Sequence, residues 1–129
     1  MEENIKYLGV DWGEKRIGLA LADSETGLAL PFKVVDSLFA VLEVINSEGI
    51  DEIVLGEPKK MSGAEANPDF LAFRKKLEAE AGVKVNLADE RLSSLAADAL
   101  VGEKEDKAER DAVAAMLILQ NYLDGLLLT

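Results

Sequence analysis

The chain contains no cysteine and no histidine. Without cysteine there is no disulfide framework, no thiolate zinc site and no thiol nucleophile. Without histidine the usual general base is missing, and with it the catalytic triads built on imidazole. Aromatic residues make up only 5% of the chain. No apolar run comes near the ~20 residues that a membrane-spanning helix needs. The first residues, Met1-Glu2-Glu3-Asn4, are acidic and lack the basic-then-apolar order of a secretory signal. These absences predict a cytoplasmic protein with no membrane partner, whose acid–base or metal chemistry has to come from carboxylates.

What is present suits one globular unit. A length of 129 residues with 49% hydrophobic content predicts a single domain over 1–129. A chain of that size buries roughly two thirds of its unfolded surface. The net charge of −11 runs against a nucleic-acid partner, because phosphate binding usually shows as a basic surface. A global charge does not settle a local patch, however. Carboxylates that hold divalent cations also count as negative when the metal is left out.

The stretch Leu8-Gly9-Val10-Asp11-Trp12-Gly13 organises the rest. Ile5, Tyr7, Gly9 and Asp11 share one face by the period-2 rule, and Leu8 and Val10 share the other. Apolar residues on both faces predict a central strand, covered on both sides. Arg16–Ala22 reads as a second strand, close enough to pair as a hairpin, and Gly18 within it marks a close backbone approach or a bulge. Leu28–Val35 reads as a third strand, and Pro31 assigns it to an edge.

Asp36 or Ser37 caps a helix to about Glu48, with Leu38, Val41, Leu42 and Ile45 as its apolar stripe and Gly49 as its stop. The next strand, Asp51–Gly56, is reached through that helix and so should lie parallel to its neighbour. A loop from Glu57 to Asn67 follows. Asn67 and Pro68 then open a helix to Ala81. Val83–Leu87 is a fifth strand, Ser93 or Ser94 caps a short helix to about Val101, and a long helix runs from about Lys107 to Leu127. Strands that meet as hairpins and then alternate with helices predict a mixed sheet in an α/β layer fold.

Three carboxylates fall at special places. Asp11 ends the first strand, Glu90 follows the fifth, and Asp111 stands near the start of the last helix. Each has an ordinary explanation when taken alone. Asp11 can open a turn with Gly13. Glu90 can pair with Arg91 or cap a helix. Asp111 gains ~0.3–1 kcal/mol from the helix macrodipole. Asp111 also heads a stripe of Ala114, Ala115 and Ile118, which should face the sheet and let the helix come close. If the three converge, two carboxylates ~4 Å apart repel by ~4 kcal/mol at an effective dielectric near 20. In a histidine-free chain only Arg, Lys or a metal offsets that. An oxygen-only cluster suits Mg²⁺ or Mn²⁺, which take carboxylates and waters and bind phosphates.

These motifs resemble the YqgF/RuvX family, related to Holliday junction resolvases. The matching residues are Gly9-Val10-Asp11-Trp12-Gly13 with Arg16-Ile17-Gly18-Leu19-Ala20 and Asp23, then Ile53 to Pro58 with Met61-Ser62-Gly63. Asp89-Glu90-Arg91-Leu92-Ser93-Ser94 and Lys107 to Leu123 complete them. They cover nearly the whole chain in order. The resemblance implies an RNase H-like fold, with a five-stranded mixed sheet in the order 3-2-1-4-5 and helices on both faces. It implies that Asp11, Glu90 and Asp111 meet at one end of the sheet as catalytic metal ligands for Mg²⁺ or Mn²⁺, with Asp11 shared between two ions.

The family is associated with nuclease activity and with maturing the 5′ end of pre-16S ribosomal RNA. The implied partners are structured RNA or branched DNA and ribosomal precursor particles, with the chain a monomer or homodimer. Arg16, Arg91, Lys59 and Lys60 are then the candidate phosphate contacts, each with surface salt bridging as its ordinary alternative. Trp12 is a candidate for base stacking or for core packing. Three features depart from the family pattern: Glu57 stands where an apolar residue is usual, the 102–107 loop is acidic where members are often basic, and the chain is on the short side. Three other functions fit parts of the sequence: a junction resolvase acting on DNA, a non-catalytic nucleic-acid-binding module, and an actin-like phosphotransferase fragment that shares the strand-Asp-x-Gly turn.

Overall fold

Both-sided burial of one short strand sets the architecture. The computed structural model describes residues 4–58, 67–89 and 107–127. In chain order the elements are β1 (Lys6–Asp11), β2 (Ile17–Asp23), β3 (Leu30–Val35), α1 (Leu38–Glu48), β4 (Glu52–Glu57), α2 (Pro68–Glu80), β5 (Lys84–Asp89) and α3 (Lys107–Leu127). The five strands form one sheet in the order β3-β2-β1-β4-β5. β1 pairs antiparallel with β2 and parallel with β4, and β5 lies parallel to β4. The hairpin and the parallel crossover expected from the sequence are both present.

The period-2 alternation of β1 divides the core into two layers. Leu8 and Val10 turn to one face and pack with Ile53 and Leu55 of β4, Val41, Val44 and Ile45 of α1, and Phe70, Phe73 and Leu77 of α2. Tyr7 turns to the other face, where Ala20, Ala22 and Val54 meet Ala115, Ile118, Leu119 and Leu123 of α3. Leu8, Val10, Ile53, Leu55, Ile118 and Leu119 are wholly buried. Each such side chain contributes ~1.5–3 kcal/mol relative to exposure.

The helix ends follow local chemistry. The Ser37 side chain accepts a hydrogen bond from the Ala40 backbone N–H and so caps α1, which ends at Gly49 in the left-handed region, φ 65°. Asn67 caps α2 by accepting from Asp69 and Phe70, with Pro68 in the first turn. No helix among the described residues is long and apolar enough to cross a membrane.

The structure shifts several boundaries. β3 begins at Leu30 rather than Leu28, and both leucines are 65% exposed, because α3 covers only the face on which Ala29 is buried between them. Its register slips beside Leu19 and Ala20, leaving Phe32 as the extra residue of a bulge next to Pro31. β4 and β5 run one and two residues further than expected, to Glu57 and Asp89. Val44 joins the expected apolar stripe of α1 as a buried residue. The short helix expected between Ser93 or Ser94 and Val101 lies outside the described residues.

The layer beneath α3 contains both tyrosines of the chain. Tyr7 and Tyr122 meet edge to face, with ring centroids 6.5 Å apart. Burial, and then the negative charge of Glu52, push both phenols above the ordinary tyrosine range. A raised folded-state pKa means that the folded chain holds protons that the unfolded chain releases above pH ~10. Stability is therefore intact below that pH and falls as pH rises through the folded values. Tyrosinate absorbance should rise together with loss of helical circular dichroism, at a pH above 10. Phenol ionisation at pH 10 in a still-folded protein would contradict this.

Candidate active site

Parallel strands β1, β4 and β5 bring their carboxyl ends to one edge of the sheet. Asp11 of β1 stands in register with Gly56 of β4, and Gly56 with Ala88 of β5. Edges of this kind are where α/β sheets bind ligands. A carboxylate there is half-buried and must be compensated by charge or hydrogen bonds.

Asp111 reaches the same edge through glycine. Gly18 of β2 is the register partner of Asp11. A methyl group added at Gly18 would overlap the Asp111 carbonyl oxygen, 2.5 Å from the carbonyl carbon and 3.1 Å from the Ala112 nitrogen. The backbone of α3 therefore lies directly on Gly18, one strand spacing from Asp11. Gly9 makes a second close approach, where an added methyl would come within 3.0 Å of the Ala115 carbonyl oxygen. Ala115 and Ile118 line the sheet-facing stripe as the helical spacing predicts, whereas Ala114 packs in a separate cluster with Val113. Gly18 is thus the close backbone approach named as one of its two sequence readings, and the bulge sits one residue along, on the β3 side.

A cation already stands at this edge. Arg16 Nε donates to Asp111 Oδ2 at 2.6 Å. The side chains are 40% and 20% exposed, so the pair lies at the mouth of the site. A tight turn sets the Arg16 backbone, since an added methyl at Gly13 would come within 2.7 Å of the Arg16 carbonyl oxygen. The sequence singled out Arg16 for phosphate and Asp111 for metal, but not their contact across 95 residues. The one available signal was Gly18, two residues after Arg16, opposite Asp11 and small enough to admit a helix.

Trp12 follows Asp11 and so turns to the opposite face. It packs edge-on to Phe70, centroids 5.8 Å apart, and tilted against Phe73 at 6.4 Å. Core packing is the reading the structure supports.

The family model described as RuvX, Holliday junction resolvase, matches residues 5–125. The chain belongs to the RuvX family. A relative from Maridesulfovibrio salexigens, named "Putative pre-16S rRNA nuclease", is 34% identical over 92% of this chain and 98% of its own. Proteins of the same name from Anaeromyxobacter sp. (strain K) and Moorella thermoacetica are 38% and 36% identical, over 93% and 95% of this chain and 97% and 96% of theirs. Among solved structures, Thermus thermophilus RuvC in complex with a Holliday junction substrate superposes with a TM-score of 0.61 at 19% identity, covering 95% of this chain and 96% of that one. The yeast mitochondrial Holliday junction resolvase Ydc2 gives a TM-score of 0.54 at 10% identity, over 91% and 77%. That likeness is one of fold, and it identifies this RuvX-family sheet as RNase H-like.

Of the residues singled out in the sequence, the structure brings Asp11, Asp111 and Arg16 to one edge of this RuvX-family sheet. Glu90, Arg91, Lys59 and Lys60 lie outside the described residues. β5 ends at Asp89, immediately before Glu90 and Arg91, and β4 ends at Glu57, two residues before Lys59. Among the described residues no three metal-ligating side chains cluster. The donors present are carboxylate oxygens, which suit hard divalent cations. A guanidinium paired with Asp111 shows that the edge accommodates positive charge.

Proposed function

We propose that this RuvX-family nuclease is a divalent-metal-dependent endonuclease that hydrolyses phosphodiester bonds of structured RNA. Its role would be 5′-end maturation of pre-16S ribosomal RNA, within precursor particles in the cytoplasm. The observation that carries the reading is the seating of Asp111 on Gly18, the register partner of Asp11, at the carboxyl edge of β1, β4 and β5. The names of the relatives support RNA as substrate. A second reading, cleavage of four-way DNA junctions, is favoured by the family description.

The residues divide the work by position. Asp11, on the central strand, would be the ligand shared by two ions, Mg²⁺ or Mn²⁺. Asp111 and Glu90 would each complete one coordination shell. Divalent ions held there would lower the pKa of water and neutralise charge on the scissile phosphate and leaving oxygen. Arg16, Lys59, Lys60 and Arg91 would hold the phosphate backbone, adding local positive charge to a chain that is acidic overall. Trp12, bound into the α2 layer, holds the Asp11 turn in place.

Cleavage of a structured RNA, a single-stranded RNA and a four-way DNA junction by one preparation tests both readings. Strand scission of structured RNA in Mg²⁺ or Mn²⁺, abolished by EDTA and restored by adding either ion, is the expected result. Cleavage confined to the junction would favour the second reading. Undiminished cleavage in EDTA would refute the metal-dependent assignment.

A further inference from the structure

The contact between Arg16 and Asp111 has consequences for how the site loads. It is the shortest ion pair among the described residues, at 2.6 Å against 3.4 Å for Lys6–Glu48 and Arg74–Glu78. It joins two groups with separate expected tasks, one for metal and one for phosphate. In the arrangement observed the contact engages Asp111 Oδ2 and Arg16 Nε, so an ion that takes that oxygen has to displace the guanidinium from it.

We propose that Arg16 is an exchangeable counter-ion: it holds Asp111 at the site before divalent metal arrives, and on loading its guanidinium passes to a phosphate oxygen of the nucleic acid. This inference rests on the reading of Asp11 and Asp111 as metal ligands. Four considerations support it. The pair is partly exposed, and such pairs are weakly held and screened by solvent. A doubly charged ion at Asp111 competes for the same oxygens and repels a guanidinium beside it. The Arg16 backbone is fixed by the turn at Gly13, so a displaced side chain stays at the mouth of the site, where a phosphate would lie. A guanidinium offers several donors in one plane, suited to gripping phosphate oxygens.

The exchange couples two binding events. Metal binding would free Arg16 for the nucleic acid, and nucleic acid engaged by Arg16 would leave Asp111 open to metal. Linkage requires this coupling to be reciprocal. It also separates Arg16 from a residue that only orients Asp111. An orienting partner stays in place when the ion binds, and its removal weakens metal affinity. An exchangeable counter-ion competes with the ion, and its removal strengthens it.

Two measurements on the full chain test this. The first is Mn²⁺ affinity by calorimetry, without nucleic acid, for wild type, Arg16→Gln and Arg16→Lys. Arg16→Gln should bind Mn²⁺ about fivefold more tightly, the upper end of what a partly exposed ion pair is worth, and Arg16→Lys should stay near wild type. The second is binding of a nuclease-resistant 2′-O-methyl RNA hairpin at several salt concentrations. With Mn²⁺ the salt slope of Arg16→Gln should be shallower than that of wild type by about one phosphate contact, and in EDTA the slopes should match. Unchanged or weakened Mn²⁺ affinity in Arg16→Gln would overturn the exchange alone. A slope difference of equal size with and without Mn²⁺ would make Arg16 a permanent phosphate contact and also overturn it. Absence of Mn²⁺ binding by wild type would overturn the reading of the site itself.

Discussion

Asp11→Asn should lower RNA cleavage by about a thousandfold while the protein melts within ~4 °C of wild type. The first part follows from the ligand role proposed for Asp11. Asparagine keeps the size of the side chain and one acceptor oxygen but removes the negative charge that holds a divalent cation. Losing several kcal/mol of transition-state stabilisation corresponds to roughly a thousandfold in rate. The second part follows from where the fold is held. The pairing of Asp11 with Gly18 and Gly56 is made by the backbone, and the layers of the core are built from Leu8, Val10 and Tyr7. Replacing one half-buried carboxylate by its amide disturbs neither, and ~1 kcal/mol shifts the melting temperature of a domain this size by only ~4 °C. Cleavage rates and thermal melts on the same preparations check it. Equal rates in both proteins would remove Asp11 from the chemistry.

The central elements were readable in the sequence because their local patterns agree with their surroundings. β1 and β4 are buried on both faces, and their near-continuous apolar runs say so. α1 and α2 carry their own caps in Ser37 and Asn67. Pro31 correctly assigned β3 to an edge. The start of β3 was less legible, because Leu28-Ala29-Leu30 reads as an apolar run whether or not a layer covers it. In the assembled sheet α3 covers only the face that carries Ala29, which leaves Leu28 and Leu30 exposed. Val44 belongs to the ordinary stripe of α1, since Val41, Val44 and Ile45 stand at i, i+3 and i+4 and are its buried residues.

The candidate site was legible by residue type rather than by geometry. Asp11 and Asp111 were marked by their positions at a strand end and a helix start, and their placement at one edge depends on a sheet register that no local pattern encodes. The Arg16–Asp111 pair is the plainest case. Opposite charges 95 residues apart have no spacing signature. The departure at Glu57 acquires a place in the structure, as the last residue of β4 opposite Asp89 of β5 at the candidate edge. It adds negative charge there without being required by the sheet.

The seat beneath Asp111 should be as sensitive as the carboxylates. Gly18→Ala should destabilise the protein by about 1–3 kcal/mol, the usual range for overpacking a well-filled contact. It should also slow cleavage by about a hundredfold. The added methyl group would overlap the Asp111 carbonyl, which belongs to helix backbone and cannot rotate away as a side chain could. An ordinary carbon–oxygen contact is ~3.3–3.6 Å, so α3 has to lift by about an ångström or more. A shift of that size at a catalytic group costs on the order of a hundredfold. The same substitution at Gly9 meets the Leu119 side chain at 2.8 Å and the Ala115 carbonyl oxygen at 3.0 Å, a looser fit further from Asp111. Gly9→Ala should therefore destabilise less and slow cleavage less. Thermal melts with cleavage rates measured well below each melting temperature separate lost stability from lost geometry. If Gly18→Ala cleaves at the wild-type rate once fully folded, the approach of α3 to β2 does not position Asp111 for the reaction, and the proposed juxtaposition with Asp11 loses its catalytic meaning.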